Sequence, residues 1–510
     1  MKIAKLKLKN FKGYETETIV DFSDLTAFVG KNDIGKSTIL EALDIFFNDS
    51  SACVKLDKTD INIHSAERGD KTISITVCFK DLPSKIIIDS TNYTTLKQEY
   101  LLNENNELEI TKKYPDAGKA KVYIRALHPS NSMCSNLILK KANDLRNIIN
   151  DLNIKCENNS INAIMRKTIW NYYNDNLQLK NTEIEISSQG DAKAIWECLQ
   201  IYLPLYSLFQ ADRRNCDNDS EVQDPLKEAL KEILSDANLQ EELINIELEV
   251  KKKLEEVSLR TLAKLKDISP VEAQKLSPAI PNVKWNEAFK NVSICGDNNI
   301  PINKRGSGVK RLILLSFFMA EAEKRMGEGN FSDVIYAIEE PETSQHTENQ
   351  NKLVNAFLEL AKSANVQIVL TTHSANIVKK LDFSDLRIIR NVYGKPHIEN
   401  IEPNNLPYPS LNEINFIAFD ELNEEYHNEL YGYIEGKGLL NEYEKGKDTI
   451  PYKRLFKGEI KQNDIILSTK IRHQIHHPEN ILNPRFSQND LKESISSMRD
   501  FIAENSNDCL

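Results

Sequence analysis

A lysine, a serine and a threonine close a glycine-rich loop near the start of the chain. The loop reads GKNDIGKST from Gly30 to Thr38 and fits the pattern G-x-x-x-x-G-K-[ST]. Gly30 and Gly35 let the backbone curl so that successive N–H groups point at phosphate oxygens. Lys36 is placed to reach the β and γ phosphates, and the Ser37 hydroxyl to ligate Mg²⁺. The loop lies between a strand-like run, DLTAFV, and a helical run that begins at Thr38, so it predicts a nucleotide site.

Two adjacent carboxylates follow a strongly apolar run much later in the chain. The segment VIYAIEEPE covers residues 334–342, and its first five residues are typical of a strand that is buried on both faces. Glu339 is predicted to hold Mg²⁺, directly or through water. Glu340 is predicted to polarise the attacking water.

Two further segments end or begin with polar groups suited to an anion. VQIVLTTHS, residues 366–374, predicts a buried strand whose His373 contacts a γ phosphate, holds the attacking water, or is simply structural. INKRGSGVKRLILLSFFMAEAEKR, residues 302–325, predicts a long helix opened by the turn Gly306 to Gly308. N–H groups and the Ser307 hydroxyl at this helix start suit a phosphate, although Ser307 could also be a plain N-cap.

The order of these four motifs resembles that of the ABC-type ATPases in the SMC, RecF, RecN and overcoming-lysogenization-defect (OLD) group. The resemblance implies that Gly306, Ser307 and Gly308 form a signature motif that contacts the γ phosphate of ATP bound by a second subunit. Asn32 resembles the GxN start of the loop in that group. The resemblance therefore implies ATP and Mg²⁺ as cofactors and a homodimer or higher even oligomer. Glu339 departs from the Asp of many members, as it does in OLD-like members.

The motifs are split along the chain, with the loop near residue 30 and the others after residue 300. This spacing predicts an α/β fold in which one ATPase lobe is interrupted by an insertion. Three short strands within 99–127 predict a β-meander, and apolar residues at intervals of three and four over 225–267 predict a short helical arm. The predicted domains are the first half of the ATPase lobe at 1–85, the meander with its helical arm at 86–284, and the second half of the lobe at 285–400. A mostly helical C-terminal domain, for partner docking or HEPN-like, is predicted at 401–510.

Histidines concentrate in the tail segment STKIRHQIHHPENILNPRF, residues 468–486. Arg472 and His476 are four residues apart and would share one face of a helix. Arg472 and His477 resemble the Arg-x4-His motif of HEPN ribonucleases, which implies an arginine that stabilises a phosphate oxyanion and a histidine that acts as general acid and base. A basic docking motif and a zinc cluster are the alternatives.

Composition narrows the class of protein. The net charge is −11 and the pI is about 5.5, so the chain as a whole is not marked as a nucleic-acid binder, although a local basic patch could still bind one. No apolar run approaches the ~18–20 residues of a membrane span, and the start MKIAKLKLKNF lacks a signal-peptide core. Eight scattered cysteines without a CxxC pair indicate reduced thiols. We therefore expect a cytoplasmic protein that does not associate with membranes.

Two classes of function fit these observations. The first is an ATP-switched dimer that holds or activates a separate effector, either an HNH or Toprim nuclease or a toxin. This arrangement resembles ATPase subunits of bacterial anti-phage systems, such as PtuA of Septu and retron loci and AriA of PARIS. The alternatives are a nucleotide-gated HEPN-like ribonuclease that acts through its own C-terminal domain, and a RecF-like DNA repair ATPase.

Overall fold

The computed structural model describes most of the chain outside two long central stretches. The described residues are 1–30, 35–49, 52, 54–88, 93–187, 190–209, 232–234, 236–268, 316, 318, 320, 333–343, 346–392, 394–401, 405–419 and 421–506.

Within the described residues, the first 400 positions contain both strands and helices, and helices predominate after them. The strands are β1 Lys2–Lys9, β2 Thr18–Asp21, β3 Leu25–Val29, β4 Thr72–Lys80, β5 Ile86–Ile87, β6 Tyr93–Thr94, β7 Leu108–Pro115, β8 Lys121–Pro129, β9 Leu179–Glu185, β10 Leu205–Phe209, β11 Val334–Glu339, β12 Val366–Thr371, β13 Leu386–Val392, β14 Lys395–Asn400, β15 Thr449–Phe456 and β16 Glu459–Ile466. The α-helices are α1 Lys36–Asn48, α2 Ile63–Glu67, α3 Ala142–Asp151, α4 Asn162–Tyr172, α5 Gly190–Gln200, α6 Ala237–Ile268, α7 Thr347–Ala361, α8 Ala375–Val378, α9 Leu411–Phe419, α10 Glu424–Gly436, α11 Leu440–Glu444, α12 Leu467–His476 and α13 Gln488–Ser506.

A six-stranded sheet carries the glycine-rich loop and both polar strand ends. Its strands lie in the order β10-β11-β12-β3-β13-β14, and neighbouring strands are parallel except for the antiparallel pair β13 and β14. All residues of β3 and β12 are buried, as expected for strands covered on both faces. The carboxyl ends of β11, β12 and β3 therefore meet at one edge, where ligands of such sheets bind.

The two faces of this sheet enter different hydrophobic clusters. Phe28 and Val369 pack on one face, in a cluster that includes α1 and the second large sheet. Ala27 and Leu370 pack on the other face, in a cluster that includes α7. Helices thus cover both faces of a mostly parallel sheet, which confirms the predicted α/β class.

The second large sheet is antiparallel throughout, in the order β2-β1-β4-β7-β8-β9. Strands β7 and β8 match two of the three strands predicted within 99–127, and β9, which was not predicted, pairs with β8. These strands continue a sheet begun by β1 and β4, so the sheet crosses the predicted domain limit at residue 85. Strand β10 also belongs to the parallel sheet, although it lies within the stretch 86–284. The domain limits themselves stay a prediction.

One predicted strand of the meander is wrong. Residues 99–103, EYLLN, form turns in which the N–H groups of Tyr100 and Leu101 donate to backbone carbonyls three and five residues earlier. The Glu99 carboxylate forms a buried ion pair with Arg166 at 2.7 Å. These local and tertiary bonds outweigh a short alternating pattern, and the next strand, β7, begins only at Leu108.

Helix α1 is held at its carboxyl end by a lysine from the second sheet. The buried Lys112 Nζ donates to the carbonyl of Phe46 and to Asp49 Oδ2, both at 2.7 Å. A cation at this position complements the negative end of the helix dipole. Burial lowers the pKa of Lys112, and Asp49 opposes this shift. The contact fixes the far end of the helix whose first turn follows the glycine-rich loop.

The predicted helical arm contains a single long helix. Helix α6 runs over 32 residues, which corresponds to about 48 Å at 1.5 Å per residue. Residues 225–231 and 235 of the predicted arm lie outside the described residues. Among the helices that the structure describes, none is both long enough and apolar enough to cross a bilayer.

The C-terminal region has its own hydrophobic cluster, built mainly from α10, α12 and α13. Its helical character was predicted, but the hairpin of β15 and β16 was not. The two strands are joined by Lys457 and Gly458, whose φ angles of 54° and 85° suit a two-residue hairpin turn. Most residues of β16 are exposed, so the hairpin projects from the helices.

Candidate functional site

The glycine-rich loop begins where β3 ends, against the neighbouring strand β13. A Cβ on Gly30 would lie 2.7 Å from the carbonyl oxygen of Ile389, a distance that only glycine allows. At the other end of the loop, Gly35 has a φ of 102° and precedes α1, and its carbonyl accepts a hydrogen bond from the Tyr14 hydroxyl at 3.1 Å. The backbone geometry at each end of the loop thus explains both glycines.

Two side chains at the start of α1 face the edge of the sheet. The buried Lys36 donates from Nζ to the carbonyl of Gly30 at 2.8 Å. The Ser37 hydroxyl donates to Glu339 Oε1 at the end of β11. The structure therefore brings together Ser37 and Glu339, the two predicted Mg²⁺ ligands, from positions 302 residues apart. Thr38 follows in the first turn of the same helix.

Glu340 occupies an unusual backbone conformation just after β11. Its φ is 41°, in the left-handed region that non-glycine residues rarely adopt. Its N–H donates to the Thr371 carbonyl at 3.1 Å and to the Thr371 hydroxyl at 3.2 Å. Strained residues of this kind concentrate at functional sites.

His373 meets Glu340 across the ends of two adjacent strands. Its Nε2 lies 3.3 Å from Glu340 Oε1. Burial lowers the pKa of His373, repulsion from Lys36 lowers it further, and Glu340 partly opposes the shift. Burial and the lysine thus both favour the neutral imidazole, which can accept or donate a single proton.

Glu342 is a carboxylate of this site that the sequence reasoning did not single out. Its Oε1 accepts hydrogen bonds from the Thr372 hydroxyl at 2.9 Å and from the His373 N–H at 2.6 Å. Its Oε2 is shielded from solvent and receives no hydrogen bond from the described residues. Burial raises the pKa of Glu342, while those two bonds oppose the shift. The only sign of this residue in the sequence was its position directly after Pro341, close to the two predicted carboxylates.

Four predicted site residues lie outside the described residues: Asn32, Gly306, Ser307 and Gly308. Their predicted roles in binding nucleotide stay predictions.

The C-terminal candidate residues lie at the carboxyl end of α12. Arg472 Nη2 lies 3.0 Å from Glu435 Oε2, and its guanidinium stacks 4.6 Å from the Tyr431 ring centre. His476 is the last residue of the helix and is exposed. His477 follows it, with Nδ1 3.1 Å from Glu479 Oε1 and a side chain that is 63% exposed.

A third histidine, His473, belongs to this cluster although it was not singled out. Its ring packs 5.4 Å from that of Tyr452 on the hairpin. Burial lowers its pKa, and the nearby cationic side chains, among them Arg454 and Arg472, add to the shift. The structure thus places the histidine-rich segment 468–486 against the hairpin of β15 and β16. Within the described ranges, no group of three or more His, Cys, Asp or Glu side chains is arranged to hold a metal ion.

Comparison with known proteins agrees with the nucleotide site. A family model described as an AAA ATPase domain matches residues 1–378. A protein of Helicobacter pylori named "ATP/GTP phosphatase" is 25% identical over 393 residues, which cover 74% of this chain and 87% of the relative.

Among solved structures, the SMC head domain from Thermotoga maritima is 13% identical, covers 79% of this chain and 100% of its own, and has a TM-score of 0.33. The Smc head domain of Pyrococcus furiosus, with an extended coiled coil and bound to the C-terminal domain of ScpA, is also 13% identical. It covers 81% of this chain and 98% of its own, with a TM-score of 0.39. Because the family model covers well over half of the chain and includes the loop, both acids and His373, the chain belongs to the AAA ATPase domain family.

Proposed function

We propose that the chain is an ATP-hydrolysing dimer that switches a separate effector protein. The observation that carries this proposal is the convergence of a P-loop serine, two carboxylates and a histidine at one edge of the parallel sheet: Ser37, Glu339, Glu340 and His373. The family match and the similarity to a protein named ATP/GTP phosphatase support nucleotide hydrolysis.

Lys36 would bind the phosphates of the nucleotide. Its ammonium lies at the amino end of α1, where backbone N–H groups and the helix dipole also favour negative charge. The same lysine lowers the pKa of His373. One cation would thus attract the triphosphate and keep the neighbouring imidazole neutral.

The donor set at Ser37 and Glu339 fits Mg²⁺. Hydroxyl and carboxylate oxygens are ligands that this ion prefers, and the contact between the two side chains places both within reach of one small cation. When bound, the ion would neutralise charge on the phosphates.

Glu340 and His373 would act on the attacking water. A carboxylate oxygen and an imidazole nitrogen 3.3 Å apart can share a proton or orient one water between them and the γ phosphate. Glu340 would accept the proton of the water, and the neutral His373 would hold the water in line.

The proposed dimer rests on the predicted signature motif at 306–308. One chain has one P-loop and one such motif, and in ABC-type ATPases they meet across two subunits. ATP bound at both seams would favour the closed dimer, and hydrolysis would release it. Mixing two inactive variants tests the dimer directly.

We expect Ser307→Arg to leave nucleotide binding by the P-loop intact and to block closure of the dimer. An arginine side chain would occupy the space of the neighbour's γ phosphate. Mixing Ser307→Arg chains with Lys36→Ala chains should restore one of the two sites in each mixed dimer, because that site combines an intact P-loop with an intact signature. ATP turnover of each variant alone and of the mixture measures this.

Ser316→Arg is the matched control, since Ser316 is exposed and lies nine residues further along. It should hydrolyse ATP like the unsubstituted chain. A mixture that recovers no turnover would show that sites are not shared between subunits.

The regulatory role is supported by the C-terminal region, which has its own core and is separate from the ATPase cluster. A region of this kind suits docking of an effector such as an HNH or Toprim nuclease or a toxin in anti-phage defence. ATP-dependent co-purification with the product of the neighbouring reading frame would support this role. Tight DNA binding by the ATP-bound chain alone, with a steep salt dependence, would favour a RecF-like repair ATPase instead.

A second candidate function is cleavage of RNA by the C-terminal region. The observation that favours it is the position of Arg472 and His477 at one exposed helix end, with the arginine oriented by Glu435 and Tyr431. The neighbouring hairpin is basic, and Arg454 lies directly opposite Lys461.

Under this second function, His477→Ala and Arg472→Ala should each lower RNA cleavage by roughly 10²- to 10⁴-fold. ATP turnover should stay unchanged, because neither side chain contacts the nucleotide site. Lys445→Ala, at an exposed lysine of the same region, is the charge-matched control. Defence or toxicity that survives both substitutions but is lost in Lys36→Ala would exclude the ribonuclease function.

A further inference from the structure

The loops that follow β11 and β12 carry Glu340 and His373, and backbone pairing between the two strands stops just before them. The parallel ladder ends at the pair Glu339 and Thr371. Beyond this pair, the Glu340 N–H still bonds to Thr371. The Thr372 N–H donates to the Phe28 carbonyl on β3 at 3.0 Å, whereas the His373 N–H donates to a side chain, that of Glu342.

Glu342 accepts two hydrogen bonds from the loop that carries His373. Its Oε1 accepts from the Thr372 hydroxyl at 2.9 Å and from the His373 backbone N–H at 2.6 Å. Both donors belong to the loop after β12, whereas Glu342 belongs to the loop after β11. The carboxylate of Glu342 thus links the two loops beyond the point where the ladder between β11 and β12 ends.

The arrangement is costly for folding alone. Glu342 Oε2 is shielded from solvent and receives no hydrogen bond from the part of the chain that the structure describes. An unsatisfied buried polar atom typically costs about 1–3 kcal/mol. Glu340, a second carboxylate, also repels Glu342. A carboxylate kept in such surroundings points to a role that an apolar residue could not fill.

We infer that Glu342 is a positioning residue for ATP hydrolysis, which holds the backbone of His373 so that the imidazole stays beside Glu340. Glu342 itself contacts neither the nucleotide nor the attacking water. It acts through the two hydrogen bonds to the loop of His373. This role rests on the proposed function of His373 and adds to it the group that orients it.

The test is a double-mutant cycle in the full-length protein with ATP turnover, nucleotide affinity and melting temperature as readouts. Glu342→Ala should lower kcat by about 10- to 100-fold, the loss expected when a catalytic group is misplaced by about 1 Å. Nucleotide affinity should stay within about threefold of the unsubstituted value, because the P-loop is intact. Glu342→Gln, whose amide oxygen still accepts both bonds, should recover most of kcat.

In the His373→Ala background, Glu342→Ala should lower kcat by less than about twofold, since a residue that acts through His373 has nothing left to position. Thr372→Val keeps the shape of the side chain and removes one of the two bonds to Glu342, together with the bond that the Ser374 N–H donates to the Thr372 hydroxyl at 3.0 Å. It should lower kcat less than Glu342→Ala does, and it serves if Glu342→Ala does not fold. Glu348→Gln, at an exposed acid on α7, is the control and should leave kcat unchanged.

Full additivity with His373→Ala, an unchanged kcat in Thr372→Val, or a Glu342→Gln variant as slow as Glu342→Ala would each overturn the role of Glu342. The proposed function fails in a different way. If His373→Ala leaves turnover unchanged, then the role of His373 is wrong and that of Glu342 falls with it. If His373→Ala is slow and Glu342→Ala is not, only the inference on Glu342 is overturned.

Discussion

Lys36→Ala is expected to abolish ATP turnover and to weaken nucleotide binding by roughly 10- to 100-fold. The lysine supplies the positive charge at the start of α1, and charge-assisted hydrogen bonds of this kind contribute about 1.5–3 kcal/mol each. Without it the closed dimer should not form, since ATP at the seam provides the energy of closure. Nucleotide affinity by calorimetry and turnover by phosphate release measure the two effects separately.

Lys55→Ala is the matched control for this lysine. Lys55 is exposed and lies shortly after α1, so its removal should change neither measurement. If Lys36→Ala binds and hydrolyses ATP like the unsubstituted chain, the loop is not the nucleotide site, and the proposed function is wrong.

Glu340→Gln should separate nucleotide binding from hydrolysis. Glutamine has nearly the same shape as glutamate but cannot accept a proton from water, so turnover should fall by about 10²- to 10⁴-fold while binding persists. The Ser37 and Glu339 contact is untouched, and the complex should remain closed with ATP trapped in it. Size-exclusion chromatography with Mg-ATP should show a stable dimer for this variant.

The size of the effect also assigns the water-activating group. Exposed Glu421→Gln offers a control of equal charge change in the C-terminal region, and it should hydrolyse ATP normally. Unchanged turnover in Glu340→Gln would transfer the role to His373, which lies 3.3 Å away. A chain that stays monomeric with trapped ATP would contradict the shared-seam arrangement.

The nucleotide edge could be predicted from the sequence because its signals are local. The runs before Gly30, before Glu339 and before His373 are each short and largely apolar with a polar end, and each became a buried strand within a residue or two of the prediction. Parallel strands place such ends at one edge of the sheet, so their convergence follows from the pattern.

What the sequence did not predict depends on contacts between distant residues or on exposed strands. The hydrogen bonds of Glu342 to Thr372 and His373 are visible only once β11 and β12 are side by side. The hairpin of β15 and β16 has few buried residues, so the usual alternation of apolar and polar side chains is missing there. The false strand at 99–103 shows the reverse case, in which a short alternation was overridden by turn bonds and the ion pair of Glu99 with Arg166.

The contact of Lys112 with the carboxyl end of α1 has a mechanical consequence. The helix has 13 residues and is about 20 Å long. Lys36 and Ser37, the predicted phosphate and Mg²⁺ ligands, lie at its amino end, and Lys112 of the antiparallel sheet binds its carboxyl end. Under the proposed function, a triphosphate that displaced the amino end of α1 would also shift its carboxyl end, because a helix of this length behaves as a rigid body. Lys112 would pass that shift to β7, so the antiparallel sheet would respond to a nucleotide that it does not contact.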